Sequence, residues 1–281
     1  AHVVSPLFFP GGDIGCLAVH GTINDVAVMG ARPLYLAASF ILEEGFPLGD
    51  LARIVESMAS AASAADVPVV TGDTKVVERS KGDGVYITTT GVGVVVEGED
   101  YAGDRARPGD RIIVSGSIGE HGMAIMAQRE GIGFATAIVS DTAALHGLVA
   151  AMRASGAAIR VLRDPTRGGV ATTLNEIARQ SGVGMMLQES ALPVQAEVAA
   201  ACEFLGLDPL YVANEGKLLA IVAAEDCAAL LAAMQAHPLG QRAAVIGSVH
   251  PDPQHFVQMT TAFGGRRIVD WLTGEQLPRI C

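Results

Sequence analysis

The sequence has 281 residues, half of them hydrophobic, which is enough for two domains that each bury a sizeable core. Its formal net charge is −11, it has no basic stretch, and no apolar run reaches membrane-spanning length, so neither nucleic acid nor a membrane is an expected partner. Four widely separated cysteines form no CxxC pair and the histidines form no HExxH, which indicates a reducing, cytoplasmic location and argues against a zinc site.

The first hundred residues alternate between predicted strands and helices. A buried strand is predicted at residues 34–42, a short apolar strand at 67–70 and a β-branched strand at 85–96. Between the first two, apolar residues recur at three- and four-residue spacing from Leu51 to Ala62, which predicts an amphipathic helix. We interpret residues 1–100 as one domain. The sequence begins Ala-His-Val-Val inside the pattern of a strand, so we expect the domain to be truncated at its start.

A polar, glycine-rich stretch at residues 97–110 is the best candidate for a domain boundary. The pattern after it predicts strands at residues 111–115, 159–162, 217–223, 243–249 and 256–260, and helices at 120–130, 141–155, after Gly168 and Gly169, and at 224–236. We therefore predict a second domain at 106–270 and an α/β (α+β) fold of two domains, with mixed sheets backed by helices.

The last segment, residues 271–281, has neither helical nor strand periodicity and is predicted to be a flexible tail that bears Cys281. Its nine final residues could reach roughly 30 Å when extended. Two interpretations stay open at this point: a loose end that happens to finish in cysteine, or a reactive group carried on an arm. Arg279, two residues before the thiol, would favour the reactive thiolate.

Four aspartates lie beside glycines or at predicted helix ends: Asp13 in GGDIG, Asp25 in GTINDVAVMGA, Asp73 in TGDTK and Asp164 in RDPTRGG. Carboxylates next to flexible backbone suit Mg²⁺ bound to phosphate oxygens. The alternative is that Asp13 and Asp73 cap helices or form turns. No GxxxxGK[ST] motif occurs, so a P-loop is excluded.

Lysine usage is selective, because only three of the nineteen cationic residues are lysines. Two of the three, Lys75 and Lys217, lie in the motif-like stretches TGDTK and ANEGK. Lysine can change its pKa and transfer protons where arginine cannot, so these positions are candidates for proton transfer, with Glu215 as a possible partner. An ordinary salt bridge is the alternative.

In order along the chain, SPLFFPGGDIG, GTINDVAVMGA, FILEEG, VTGDTKVV, RDPTRGGV, LPV, ANEGK, HPLG and a terminal PRIC resemble the HypE family, from residue 2 to residue 281. HypE proteins are the carbamoyl dehydratases of [NiFe]-hydrogenase maturation. Their PurM-like (AIR synthetase-like) fold is shared with selenophosphate synthetase and thiamine-monophosphate kinase. The terminal cysteine distinguishes HypE from those relatives.

The resemblance implies a homodimer that uses ATP and Mg²⁺ to dehydrate an S-carbamoyl group on its last cysteine to a thiocyanate. HypF would supply the carbamoyl group, and the HypC–HypD complex would accept the cyano group for the hydrogenase iron. The catalytic residues it implies are Cys281, Glu215 and Lys75. Those it implies for the cofactor are Asn24, Asp25, Gly72, Asp73, Thr74, Asp164 and Thr166, with Asp25, Asp73 and Asp164 as the metal ligands.

Two other functions remain open. One is a kinase or synthetase of the same fold that acts on a free small molecule, and the other is a non-catalytic scaffold in a maturation complex. The resemblance also implies that a segment with a Thr-Thr-Asp motif, which helps to hold ATP, precedes residue 1 in the family.

Overall fold

A computed structural model describes residues 1–131, 138–272, 274 and 279–281. A small hairpin of β1 (Phe8–Phe9) and β2 (Gly12–Asp13) leads into helix α1 (Ile14–Val28). Strand β3 (Ala31–Glu43), helix α2 (Leu48–Ala64) and strands β4 (Val69–Val77) and β5 (Val85–Val95) follow. β3 is the central strand of a three-stranded sheet, with β4 parallel to it on one side and β5 antiparallel on the other.

The β1–β2 hairpin was not predicted, and α1 and β4 also differ from the sequence predictions. α1 was not predicted, because it is buried on nearly all sides and therefore shows no apolar stripe of helical period. β4 continues through the TGDTK motif to Val77, since its backbone pairs with β3 as far as Glu43. Gly72 permits this pairing, because a Cβ there would lie 2.1 Å from the carbonyl oxygen of Ala38.

The second sheet has seven strands, and all of its neighbours are antiparallel except β8 and β11. Its spatial order is β12-β11-β8-β10-β6-β9-β7. The strands are β6 (Arg111–Val114), β7 (Ile159–Arg163), β8 (Gly184–Gln188), β9 (Leu219–Val222), β10 (Ala244–His250), β11 (Val257–Thr260) and β12 (Arg266–Ile268).

Five further helices accompany this sheet: α3 (Glu120–Arg129), α4 (His146–Ala154), α5 (Gly169–Ser181), α6 (Ala196–Leu205) and α7 (Cys227–Ala236). The helix predicted at 141–155 begins only at His146, because Asp141 to Leu145 are used in loop contacts. β8, β12 and α6 were not predicted. No helix in the described part of the chain combines the length and apolarity that a membrane span requires.

The apolar core consists of three clusters. Two of them lie on opposite faces of the seven-stranded sheet. The cluster that contains side chains of α4 and α7 also includes Ala27 and Val28 from the end of α1. The third cluster, here called the shared core, combines α1, α2, β3 and β5 with side chains of α3 and α6, and it includes Ile280 near the C-terminus. α1 is thus fixed by both halves of the molecule.

Candidate active site

A cavity of about 610 Å³, here called the central cavity, opens beside α1. Its walls come from α1, from β5, from the loop that precedes α5, from the loop that precedes β9 and from the C-terminus. The residues from these elements that the following argument uses are Asp25, Thr166, Arg167, Asp164, Glu215 and Cys281. The structure therefore brings Asp25 and Cys281, which are 256 positions apart in the sequence, to the same cavity.

The carboxyl groups of Asp25 and Asp164 meet in this cavity. Asp25 lies on α1, whose start is fixed by the side chain of Asp13, which accepts hydrogen bonds from the amides of Gly15 and Cys16. Asp13 is therefore a helix cap, which was the alternative to its role at a metal. Burial, and then the charge of Asp164, raise the pKa of Asp25 to about 6, while burial raises the pKa of Asp164.

The predicted ligand set of three aspartates is not assembled within one chain. Asp73 lies on β4, the outer strand of its sheet, where its carboxylate accepts a hydrogen bond from the amide of Thr74. Gly72, Asp73 and Thr74 line a different groove, of about 580 Å³, between β4 and α2. Among the residues that the structure describes, no three His, Cys, Asp or Glu side chains are arranged to hold a metal ion.

The predicted pairing of Lys75 with Glu215 is likewise absent within one chain. Lys75 is exposed on β4, and β3 separates that strand from β5, the strand whose residues line the central cavity. Lys217 is instead largely enclosed, with its side chain 12% exposed and its Nζ 2.9 Å from Asp141 and 3.4 Å from Glu120. For Lys217, the salt-bridge alternative is the correct one.

Asn24 has a structural position rather than an open face toward a cofactor. Its amide nitrogen donates to the carbonyl oxygens of Ala143 (3.0 Å) and Glu215 (3.2 Å), and its oxygen accepts from the amide of Leu145 (2.7 Å). These bonds use the polar atoms of the side chain, so the prediction of direct cofactor binding by Asn24 is replaced by support of the loop that carries Glu215.

The carboxyl group of Glu215 is buried at the wall of the central cavity, and its Oε1 has no hydrogen-bond partner. Burial, followed by the charges of Asp141 and Asp164, raises the pKa of Glu215 well above its ordinary value. A hydrogen bond from the thiol of Cys281 acts in the opposite direction, because it stabilises the carboxylate. The arrangement combines a strong proton acceptor with a sulfur atom in contact with it.

The end of the chain is held against the body of the protein. The amides of Val3 and Ser5 donate to the carbonyl oxygens of Cys281 (3.2 Å) and Arg279 (3.1 Å). The Nε2 of buried His121 donates to the carbonyl oxygen of Ile280 (2.7 Å), whose side chain is 2% exposed. Of the predicted flexible tail, residues 273 and 275–278 lie outside the described residues. Residues 279–281 are docked, which excludes the loose-end interpretation for them.

Cys281 is a neutral thiol in this position. Burial and the charge of Glu215 raise its pKa to about 12, although the guanidinium of Arg167, with Nη2 3.6 Å from Sγ, opposes the change. The prediction that Arg279 favours the thiolate is wrong, since its guanidinium lies 2.7 Å from the carboxylate of Asp83. Arg167 and His121 were missed from the sequence. Arg167 lies inside the RDPTRGG motif, whereas no sequence pattern distinguishes His121.

Comparison with known proteins gives concordant matches along the whole chain. The family model for the AIR synthase related protein N-terminal domain matches residues 1–95, and the model for the C-terminal domain matches residues 107–260. The carbamoyl dehydratase HypE of Azotobacter vinelandii is 72% identical over all of this chain and 82% of its own length. The carbamoyl dehydratase HypE of Escherichia coli K12 is 45% identical over all of the chain and 83% of its own length.

Solved structures agree with these sequence matches. A structure of HypE in complex with ATP is 52% identical and superposes with a TM-score of 0.96 over all of this chain and 85% of its own. A HypE–HypF complex is 50% identical, with a TM-score of 0.93 over 96% of this chain and 88% of its own. Thiamine monophosphate kinase of Aquifex aeolicus, at 19% identity and a TM-score of 0.66, shares the fold.

Proposed function

The chain belongs to the HypE family of carbamoyl dehydratases, and we propose that it uses ATP to dehydrate an S-carbamoyl group on its own Cys281 to a thiocyanate. One observation carries this proposal: the Cys281 thiol lies in the central cavity in contact with the buried carboxyl group of Glu215. The solved ATP complex of a HypE protein supports the choice of nucleotide.

The reaction balances as two steps on the modified sulfur. The carbamoyl oxygen of S–C(=O)–NH₂ attacks the γ-phosphorus of ATP, ADP leaves, and one N–H proton is lost, which gives S–C(=NH)–O–phosphate. The C–O bond then breaks, the second N–H proton is removed, and the products are S–C≡N and inorganic phosphate. Glu215 is positioned to accept a proton from the nitrogen, and its raised pKa makes it a stronger base. Docking of Cys281 replaces a separate substrate-binding step.

Asp25 and Asp164 fit a divalent cation. Asp164 is buried and Asp25 is more exposed, but the pKa of each carboxyl group is raised, so a cation between them would stabilise both ionised forms. We assign Mg²⁺ to these two side chains, with Thr166 nearby on the cavity wall. When bound, Mg²⁺ supplies charge neutralisation at the phosphoryl oxygens.

The remaining predicted residues suggest a homodimer. β4 is an outer strand that exposes apolar side chains, including Val70 (59% exposed) and Val76 (65% exposed), and such an edge is normally covered. We propose that a second copy of the chain covers it. Gly72, Asp73, Thr74 and Lys75 would then reach the central cavity of the partner subunit, which accounts for their distance from Glu215 in one chain.

Complementation between subunits tests this arrangement. K75Q and E215Q are each expected to be inactive, but a mixture that exchanges subunits contains heterodimers with one intact site. We expect about a quarter of wild-type activity in an equal mixture if Lys75 acts across the interface. No recovery after exchange, verified by mass spectrometry of the mixed dimers, would show that Lys75 acts within its own chain or not at all.

The partners follow from the chemistry and from the solved HypE–HypF complex. HypF would place the carbamoyl group on Cys281, and the HypC–HypD complex would receive the cyano group. We place these transfers in the cytoplasm, in keeping with four free cysteines.

The reaction is tested with full-length protein whose Cys281 has been carbamoylated by HypF. Addition of Mg-ATP should remove one water from the C-terminal peptide, as measured by mass spectrometry, and C281A should show no such change. A kinase of a free small molecule would keep its ATP turnover in C281A, and a scaffold would show no ATP-dependent mass change in the wild type.

A further inference from the structure

Lys217 and its neighbours form a buried polar cluster behind the central cavity. Lys217 contacts Asp141 and Glu120, and the carboxylate of Glu120 also accepts hydrogen bonds from Ser117 and Gln195. None of these five side chains lines the central cavity, and all of them except Glu120 line a separate cavity of about 210 Å³. The cluster therefore does not touch the reacting sulfur, and its effect has to pass through another residue.

Asp141 is the member of the cluster that contacts the catalytic loop. Its Oδ1 accepts from the backbone amide of Glu215 (3.1 Å), and its Oδ2 accepts from the amide of Gly216 (3.1 Å) and from Nζ of Lys217 (2.9 Å). Three donors converge on one carboxylate, so both of its oxygens are used. The side chain is only 4% exposed, which keeps these bonds from exchanging with water.

The loop is fixed from both sides at Glu215. Asp141 holds its amide, and the side chain of Asn24 holds its carbonyl oxygen at 3.2 Å. Gly216 brings the backbone unusually close, since a Cβ there would lie 1.7 Å from the carbonyl oxygen of Asp141. A displacement of Asp141 would therefore move the base itself.

We infer that Asp141 is a positioning residue for Glu215 and that Lys217 is its counter-ion, which keeps Asp141 in the form that accepts both amides of the loop. The role rests on the proposed function of Glu215 as the base. The charge balance supports it: although burial alone would raise the pKa of Asp141, Lys217 and the hydrogen bonds hold that pKa below its ordinary value. An ionised carboxylate is what the three donors require.

D141N is the direct test, because it keeps the size of the side chain but turns one acceptor into a donor that faces an amide or Nζ. Misplacement of a catalytic group by about 1 Å can slow a reaction roughly 10²-fold, so we expect a loss of that order in the rate of water loss from carbamoylated Cys281. The ATP concentration at half-maximal rate should change less than about twofold, since Asp141 does not line the central cavity.

D110N is the matched control. Asp110 is also buried (3% exposed), lies 2.9 Å from an arginine, Arg160, and accepts a backbone amide, that of Arg107, at 2.8 Å. It is not part of either cavity. D110N should therefore lower the stability of the protein without lowering the rate of water loss from carbamoylated Cys281. G216A provides a second variant, in which the added Cβ displaces the Glu215 loop while every charge remains.

Alkylation of Cys281 gives a readout that does not depend on dehydration. Glu215 raises the pKa of the Cys281 thiol, so a displaced Glu215 should make Cys281 react faster with iodoacetamide at neutral pH. Slower dehydration and faster alkylation in D141N and G216A, but not in D110N, would support the inference. If folded D141N and G216A show wild-type rates of both dehydration and alkylation, the inference is overturned. If the wild type itself loses no water, the proposed function fails, and the alkylation rates alone decide the positioning role.

Discussion

The burial of Ile280 makes a quantitative prediction about the C-terminus. We define the docked state as the one in which residues 279–281 occupy the contacts described above, and the released state as the one in which they do not. Ile280 is 2% exposed and belongs to the shared core. Truncation of a buried isoleucine to alanine costs about 2–5 kcal/mol, and in I280A this cost falls on the docked state only. At about 1.4 kcal/mol per tenfold, the released fraction should rise at least roughly 30-fold.

The reactivity of Cys281 reports this fraction. A pKa of about 12 in the docked state, compared with the ordinary 9.0, reduces the thiolate fraction at neutral pH about 10³-fold. Alkylation of Cys281 therefore proceeds chiefly from the released state. Its rate in iodoacetamide at pH 7, followed by mass spectrometry of the C-terminal peptide, should be at least roughly 30-fold higher in I280A, up to the rate of a free peptide.

I177A is the control for general destabilisation. Ile177 is similarly buried (3% exposed) but lies on α5, in a different core cluster from Ile280. Its truncation should lower the melting temperature and leave Cys281 alkylation unchanged, and buried Cys16 and Cys202 should stay protected in both variants. Equal alkylation rates of Cys281 in the wild type and I280A would refute the view that Ile280 anchors the docked state.

Four further results are expected. E215Q should retain ATP binding in calorimetry but slow the conversion of carbamoyl to cyano by roughly 10²–10⁴-fold, the usual contribution of a general base; normal conversion would refute its role. R167M should accelerate Cys281 alkylation, because it removes the contact between Nη2 and Sγ in the docked state and so favours release; an unchanged rate would contradict this. H121A should also accelerate Cys281 alkylation, because the carbonyl oxygen of Ile280 loses its buried hydrogen-bond donor in the docked state. The docked state favours the protonated thiol, because the thiol pKa is about 12 when docked and 9.0 ordinarily. The released fraction should therefore be constant below about pH 9 and rise between pH 9 and 12. Fluorescence of a label near the C-terminus would measure this fraction.

The elements that the sequence predicted correctly are those with a clear period or a clear boundary. The strands of both sheets near residues 34–42, 85–96 and 111–115 were evident because β-branched and apolar runs end at polar or glycine-rich segments. α1 was missed for the opposite reason: contacts on nearly all sides leave it uniformly apolar. Its burial results from packing between two halves of the chain, which no local window contains.

The site shows the same limit. The motifs predicted that Asp25, Asp164, Glu215 and Cys281 belong together, and the structure places all four at one cavity. A helix cap or a turn was the alternative role for Asp73 in TGDTK, but pairing with β3 makes this segment a strand. Lys217 looked like a proton carrier because lysine is rare, but its buried carboxylate partners, 76 and 97 residues away, make it a counter-ion. Charge balance in a buried cluster depends on distant segments and is not readable from one motif.

The pairing of Val3 and Ser5 with Cys281 and Arg279 has a consequence for regulation. The C-terminus is a ligand that is covalently part of its own receptor, so occupancy of the cavity is a first-order equilibrium and does not depend on how much protein the cell makes. A partner protein that binds the Cys281 sulfur therefore competes with the central cavity of the same chain, whose effective concentration is fixed. The rate of hand-over is then set by the ratio of released to docked chains, and each chemical change at the sulfur can reset that ratio.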